Sequence, residues 1–313
     1  MDLDFDKPIK DIENKIAELK TLSLKSKVNF ASEIEVLKKQ CQEQIRSIYS
    51  NLTPWQVVQI ARHPKRPVLQ DYISLIFNSF IELHGDRIYA DDQALIGGLA
   101  TLDNHRVMLI GHNKGKNTKE NIERNFGMAK PEGYRKALRL MKMAEKFRIP
   151  VVMFIDTQGA YPGMEAEKRG QAEAIARNLT DMAQLEVPLI ALVTGEGGSG
   201  GAIGIGAGDV ILMLAFSIYS VISPEGCASI LWRNAKFAPE AAEALKLTAP
   251  SLLKMGVLNE IVEEPIGGAH RNHEETARNI KKSLIRHLDT LNQLPLKKLL
   301  KRRFEMYARM GKP

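Results

Sequence analysis

At 313 residues, 44% hydrophobic and 26% charged, the chain has the composition of a folded globular protein, with room for one large α/β domain or two modest ones. Its two cysteines, Cys41 and Cys227, exclude a disulfide scaffold, a CxxC redox pair and a four-thiolate zinc site of its own. A net charge of +7 fits anionic partners such as phosphorylated cofactors, nucleic acid or acidic protein faces, and equally a solvated basic surface.

The opening MDLDFD is acidic where a leader peptide would be basic. The longest apolar run, Val210 to Ile222, is broken by Ser217 and Ser220 and falls short of the roughly 20 residues that span a bilayer. A soluble, cytoplasmic protein is the expectation. The first fifty residues carry no glycine and predict two helices, one with Ile9, Ile12, Ile16 and Leu19 on a face, the other with Ile34, Leu37, Cys41, Ile45 and Ile48. Polar residues from Thr21 to Ser32 separate them, so a helical hairpin or arm is expected, its apolar stripe laid on its own domain or on a partner. Asn51-Leu-Thr-Pro54 and Arg62-His-Pro-Lys-Arg-Pro67 then punctuate the chain.

From about residue 70 strands alternate with helices. The predicted strands are Leu95–Leu102, Arg106–Ile110, Val151–Ile155, Leu189–Thr194, Val210–Leu214 and Tyr219–Ile222, mostly continuous apolar runs of the kind covered on both faces. A helix over 132–147 places Ala137, Leu138, Met141 and Ala144 together. Another over 169–185 carries Ala172, Ile175, Ala176, Leu179, Met182 and Ala183, and ends before Pro188. The alternation predicts an α/β fold. Two stretches, VVMFIDTQGAYPG (151–163) and LIALVTGEGGSGG (189–201), repeat a plan of strand, glycine turn and helix. A final helix with Ala277, Ile280, Leu284, Leu288 and Leu291 on one face precedes a basic tail of Lys297, Lys298, Lys301, Arg302, Arg303 and Arg309, expected to be a solvated helix face.

The segment 195–208 holds eight glycines in fourteen residues, so something there needs bare backbone. Three readings compete. Gly195, Gly197 and Gly200 fit GxGxxG, but the acidic residue expected at the end of the next strand is displaced to Glu225. Gly197, Ser199 and Gly201 fit the GxSxG nucleophile elbow of a serine hydrolase, with Asp209 and His270 in the required order. In the third reading the amides of Gly200 and Gly201, at a helix N-terminus, form an oxyanion hole and need no nucleophile, while Gly204, Gly206 and Gly208 serve packing. Gly111-His-Asn-Lys-Gly-Lys116 fails as a phosphate loop, being one residue short and lacking Ser or Thr after the lysine. His112 reads as a strand-end histidine satisfied by its neighbours. His270 and His273 would make a metal pair only on a helix, and their Gly267-Gly268 flank predicts a loop. Asp156 and Glu225 each divide between a site role and a turn or cap role.

Several stretches together resemble the alpha-subunit family of the bacterial multisubunit acetyl-coenzyme A carboxylase carboxyltransferases. They are ARHPKRP (61–67), GDRIYADD (85–92), NFGMAKPEGYRKALRLM (125–141), DTQGAYPG (156–163), RGQAEAIARNL (169–179), GEGGSGG (195–201), YSVISPEGCASILW (219–232) and GGAHRN (267–272). The resemblance implies a crotonase-like (ClpP/crotonase) spiral of repeated β-β-α units, with a helical arm at 1–30, the carboxyltransferase domain at 31–292 and the basic tail at 293–313. It also implies carboxyl transfer from carboxybiotin, on a biotin carboxyl carrier protein, to acetyl-CoA, giving malonyl-CoA for fatty-acid synthesis. The active site would lie between this chain and a beta subunit that carries the zinc, in an alpha2-beta2 assembly active only when complete. ATP would be used by a separate biotin carboxylase, and neither a membrane nor nucleic acid is an expected partner. Carried onto this chain, Gly200 and Gly201 would hold the biotin ureido oxygen, and Gly197, Gly198, Gly159 and Ala160 would shape the pocket. Gln158 stands where the family usually has proline, which would fix φ and remove a donor, so that turn is expected to be looser here.

Overall fold

The predicted apolar runs build one mixed sheet buried on both faces. The computed structural model describes residues 3–26 and 29–311. Outside the described residues lie 1–2, 27–28 within the polar stretch of the arm, and 312–313 of the tail. The chain opens with α1 (Lys7–Ser26), α2 (Ala31–Tyr49), α3 (Pro54–Ala61) and α4 (Leu69–Ile76). Then come β1 (Ser79–Glu82), β2 (Leu95–Leu102), β3 (His105–His112), α5 (Thr118–Glu123), α6 (Pro131–Phe147), β4 (Val151–Thr157), α7 (Met164–Lys168) and α8 (Gln171–Gln184). The remainder is β5 (Leu189–Gly198), α9 (Ser199–Ile203), β6 (Val210–Leu214), β7 (Ile218–Ser220), α10 (Pro224–Trp232), α11 (Ala238–Leu245), α12 (Ala249–Lys254), β8 (Glu260–Val262), α13 (His273–Asn292) and α14 (Leu296–Arg309).

The strand order is β1-β2-β3-β4-β5-β6-β8, with β7 paired to the far end of β5. The first three strands are antiparallel to one another, and every later pairing is parallel. β6-β7-α10 follows the β-β-α plan that the resemblance implies, and the β2-β3 pair reaches α6 by way of α5. Side chains leave the strands alternately to opposite faces. Val151, Met153 and Ile155, with Leu189, Ala191 and Val193, pack with Tyr134, Ala137, Leu140 and Met141 of α6 and Met182 of α8. Val152, Phe154, Ile190 and Leu192 pack instead with α4 and with Ala277, Ile280, Leu284, Leu288 and Leu291 of α13. The sheet is covered twice, which is why its strands read as unbroken apolar runs.

The helix faces differ in detail from expectation. On α6, Leu140 is buried where Leu138 was expected, and Lys136 is wholly buried, its ammonium donating to Asp91 and to the Asp92 carbonyl. On α8, Ala172, Ala176 and Ala183 are exposed. The buried face is Ala174, Asn178 and Met182, with Ile175 and Leu179 of the predicted face partly buried against the same core, and the helix starts at Gln171 after Gly170 in the left-handed region. The last predicted strand begins earlier, at Ile218, and two short strands, β1 and β8, were not foreseen.

The arm is an antiparallel helical hairpin, and the 30/31 boundary falls in its turn. The half of its stripe nearest the domain lies on its own chain, while Ile16, Leu19, Ile34 and Leu37 are only partly buried. Ile9, Cys41, Ile45 and Tyr49 bury against Ile60 and Phe216, and Arg271 reaches Asp6 (3.4 Å) and Glu13 (2.7 Å). The tail departs from a purely solvated face: Leu299 and Arg303 of α14 are buried.

Candidate active site

The site is built on a defect in the sheet. β4 and β5 pair in register through Ile155 and Val193 and meet again at Thr157 and Gly197. Asp156 alone thus faces three residues, Thr194, Gly195 and Glu196, so β5 bulges outward at its carboxyl end. A bulge releases backbone groups from the ladder, and buried ones must find other partners. Here side chains supply them. The Thr194 carbonyl accepts from Arg66 Nε (3.1 Å) and Nη2 (2.9 Å), and the Glu196 amide donates to Asp156 Oδ1 (2.9 Å). Arg66 is held in turn by Glu264, at 2.7 and 2.8 Å.

From the bulge a chain of alternating charges runs across the floor of a cleft of about 1040 Å³. Lys114 Nζ donates to Asp156 Oδ1 (2.7 Å) and Glu196 Oε2 (3.4 Å), Arg62 Nε donates to Glu196 Oε1 (2.7 Å), and the Arg62 guanidinium forks onto Glu225. Burial pushes the Glu196 carboxyl up, but Lys114 and Arg62 outweigh it and leave it below the ordinary range. Burial lowers the Lys114 ammonium, and Asp156 and Glu196 more than restore it, so it stays charged. Sequence reasoning weighed a site role for Asp156 and Glu225, which the floor contains, but did not foresee Arg62, Lys114 or Glu196. The signals were present: Arg62 and Arg66 both lie in ARHPKRP, and Lys114 lies in the loop rejected as a phosphate binder.

Two glycine turns meet above the charges. A Cβ on Gly198 would stand 2.2 Å from the Gln158 carbonyl oxygen, and one on Gly201 would stand 2.3 Å from Gly159 C and 2.5 Å from Ala160 N. Gly200 differs, since its Cβ would meet only Ile175 Cδ1, at an ordinary 3.6 Å. Gly159, Ala160, Gly197, Gly198 and Gly200 line the cleft, whereas Gly201 is buried behind them against the 159–160 turn. None of the eight glycines from 195 to 208 has a positive φ, so close approach accounts for all of them except Gly200. Gly200 and Gly201 lie in the first turn of α9, where amides have no intrahelical acceptor. The turn at Gln158 is closed by Thr157, whose hydroxyl donates to the Gly159 carbonyl (2.7 Å) and accepts from its amide (3.2 Å).

Ser199 does sit on a strained elbow, with φ at 52°. Its supposed partners are engaged elsewhere. Asp209 is buried against Arg303 (2.8 Å), and His270 stacks on His63 with ring centroids 4.1 Å apart. His273 bonds the Lys65 carbonyl (2.8 Å), so His270 and His273 do not converge. Among the described residues His112 is buried with neither ring nitrogen in good hydrogen-bond geometry, a departure from the expected satisfied state, though the Gly201 backbone lies beside it; burial, then Lys114, pushes its imidazole down to about 3. Ser223 caps α10 through the Gly226 amide, which leaves the Glu225 carboxylate to Arg62.

The His63–His270 stack predicts a pH dependence. Burial first, then neighbouring cations, pushes His63 down to about 4; burial and then His63 push His270 down to about 3. Below the ordinary value of 6.5 the unfolded chain takes up protons that the folded chain refuses, so stability present at pH 7 declines as pH falls toward 4. Urea midpoints measured from pH 7 to 4 should fall, and should fall less steeply for His270→Gln. Equal slopes would remove the pair as the cause.

Comparison with known proteins extends over the whole chain. A family model described as acetyl co-enzyme A carboxylase carboxyltransferase-like matches residues 2–311. The acetyl-coenzyme A carboxylase carboxyl transferase subunit alpha of Methylococcus capsulatus is 56% identical over 309 residues, covering 99% of this chain and 96% of that protein. The protein of the same name from Geobacter metallireducens is 54% identical over 310 residues, covering 99% and 97%. Among solved structures, transcarboxylase 12S with methylmalonyl-coenzyme A bound aligns with a TM-score of 0.59 at 18% identity, covering 77% of this chain and 45% of that one. The beta subunit of Pseudomonas aeruginosa geranyl-CoA carboxylase gives 0.58 at 18% identity, covering 79% and 46%. This chain spans less than half of each solved chain, and at such identity the likeness is one of fold.

Proposed function

The chain belongs to the acetyl-coenzyme A carboxylase carboxyltransferase alpha-subunit family, and from that premise we propose that it forms the carboxybiotin half of a carboxyl-transfer site. The reaction moves a carboxyl group to acetyl-CoA, giving malonyl-CoA, and the chain acts with other subunits. Carboxybiotin, borne on a biotin carboxyl carrier protein, supplies that carboxyl group. The Gly200 amide would donate to the ureido oxygen from the cleft wall, with the Gly201 amide set behind it in the same helical turn, and Gly197, Gly198, Gly159 and Ala160 would wall the pocket. Donors fixed before reaction stabilise a developing oxyanion at no cost of reorganisation, and one such donor is worth roughly 3–4 kcal/mol. Carrying this reading is the meeting of two bare-backbone turns over a cleft at the carboxyl ends of parallel strands, with first-turn amides free of intrahelical acceptors. N–H donors fit a ureido oxygen, an acceptor with no proton of its own.

A zinc-bearing beta subunit would supply the acyl-CoA side in an alpha2-beta2 assembly, and ATP would be used only by the biotin carboxylase. Among the described residues no helix is long and apolar enough to cross a membrane.

Malonyl-CoA decarboxylation with biocytin as acceptor tests the reading, run on this chain, on a beta subunit and on their mixture. Activity confined to the mixture is expected, and its absence from a mixture that co-elutes would reject carboxyl transfer. Ser199→Ala should keep the mixture's activity within about threefold, since Ser199 lacks the base a hydrolase nucleophile needs. Labelling of Ser199 by a fluorophosphonate, with loss of activity in the alanine variant, would restore the serine-hydrolase reading.

A further inference from the structure

The bulge in β5 needs a clamp, and Lys114 is the residue that bonds both sides of it. Its ammonium donates to Asp156 at the end of β4 and to Glu196 within the bulge, at 2.7 and 3.4 Å. Past these two carboxylates the chain enters the two glycine turns that meet backbone to backbone, so the distance between the turns depends on what joins Asp156 to Glu196. Asp156 Oδ1 is shared, since it also accepts the Glu196 amide that the bulge frees from the ladder. Without the ammonium that carboxylate would stand beside the Glu196 carboxylate, and repulsion would open the knot. Arg62 and Arg66 brace the bulge from the β5 side alone, through the Glu196 carboxylate and the Thr194 carbonyl.

Energetics argue that the arrangement serves geometry. The Lys114 side chain is only 18% exposed, and Asp156 and Glu196 are 13% and 10% exposed. Well-packed apolar residues often stabilise such a place as well as ions do. The charge-assisted hydrogen bonds of the ammonium tie two particular oxygens together, and a catalytic turn needs such fixed contacts. We propose that Lys114 is a positioning residue for carboxyl transfer, its ammonium locking Asp156 to Glu196 and so fixing the Gly197–Gly201 turn against the Gly159–Ala160 turn. This rests on the carboxyl-transfer reading of the same cleft. Lys114 acts through the backbone it holds, so it governs turnover more than substrate affinity.

The experiment uses the assembled complex with Lys114→Met, Lys114→Gln and Lys114→Arg, measuring malonyl-CoA decarboxylation with biocytin, co-elution with the beta subunit and thermal melting. The two neutral variants should lose roughly 100-fold in kcat, the cost of a misplacement of about 1 Å. Their KM for biocytin should stay within about threefold, the pattern of an effect confined to the transition state. Lys114→Arg, whose guanidinium can bridge the two carboxylates, should recover to within about tenfold of wild type. Any of three results overturns the proposal: neutral variants with kcat within about threefold of wild type, a KM that rises while kcat holds, or activity lost only in step with folded complex. Failure of both neutral variants to assemble counts as the third. An inactive wild-type complex would instead overturn the carboxyl-transfer reading, and this inference with it.

Discussion

Gly201→Ala should cost the assembled complex at least about 100-fold in carboxyl transfer, while Gly200→Ala, one residue away, should cost less than about tenfold. The two glycines look alike in sequence and differ in what lies beside them. A methyl on Gly201 would enter the backbone of the facing turn, 2.3 Å from Gly159 C and 2.5 Å from Ala160 N, where no side chain can move aside. One turn must then retreat, taking the Gly200 and Gly201 amides with it. A methyl on Gly200 meets one flexible Ile175 carbon at 3.6 Å, and the substitution leaves the amide in place. Neither position has a positive φ, so strain does not separate them. Decarboxylation assays on co-eluting complexes check the pair. Equal damage at both would mean that substrate itself needs the bare Cα of Gly200, and an active Gly201→Ala would show that contact between the turns is dispensable.

The contrast marks where sequence stops informing. Strands such as Val210–Leu214 were legible because both faces of the sheet are covered, and continuous apolar runs record that directly. Helix α13 was legible because all five residues of its predicted face are buried. β1 and β8, of four and three residues, are too short to show a period. Glycine density announced a place of close approach, yet not which glycine approaches what. That is settled by the register shift at Asp156, a property of two paired strands.

The charged floor was hidden for a related reason. Arg62, Lys114, Asp156, Glu196 and Glu225 come from five separate segments, joined by contacts 42 to 163 positions apart, and no local pattern encodes such pairing. The GxSxG match failed in the opposite way: a local pattern was present, even to the strained φ of Ser199, without the distant partners that would make it a nucleophile. Asp209, its candidate acid, belongs to a different construction.

That construction predicts the largest loss of stability. Arg303, within the tail expected to be solvated, is fully buried, and all five of its N–H groups are used. Nε and Nη2 fork onto Asp209 at 2.9 and 2.8 Å. Nη1 donates to the carbonyls of Met182 and Leu185, and Nη2 also to that of Val187, at 2.8 to 2.9 Å, so the cation closes the carboxyl end of α8. One turn on, the Tyr307 hydroxyl accepts from the Gly208 amide at 2.8 Å, which pins the end of the glycine segment to α14. Removing one member of a buried pair leaves the other charge uncompensated, so Arg303→Met should lower unfolding stability by about 3–5 kcal/mol. Arg303→Lys should not rescue it, because an ammonium lacks the planar fork that reaches Asp209 and three carbonyls together. Arg303→Met combined with Asp209→Asn should cost less than Arg303→Met alone, since asparagine removes the stranded charge and can still accept from the Leu189 amide. Urea midpoints for the three variants decide the matter. A loss under about 1 kcal/mol in Arg303→Met would reduce the pair to the worth of a surface salt bridge and leave α14 held by its apolar face alone.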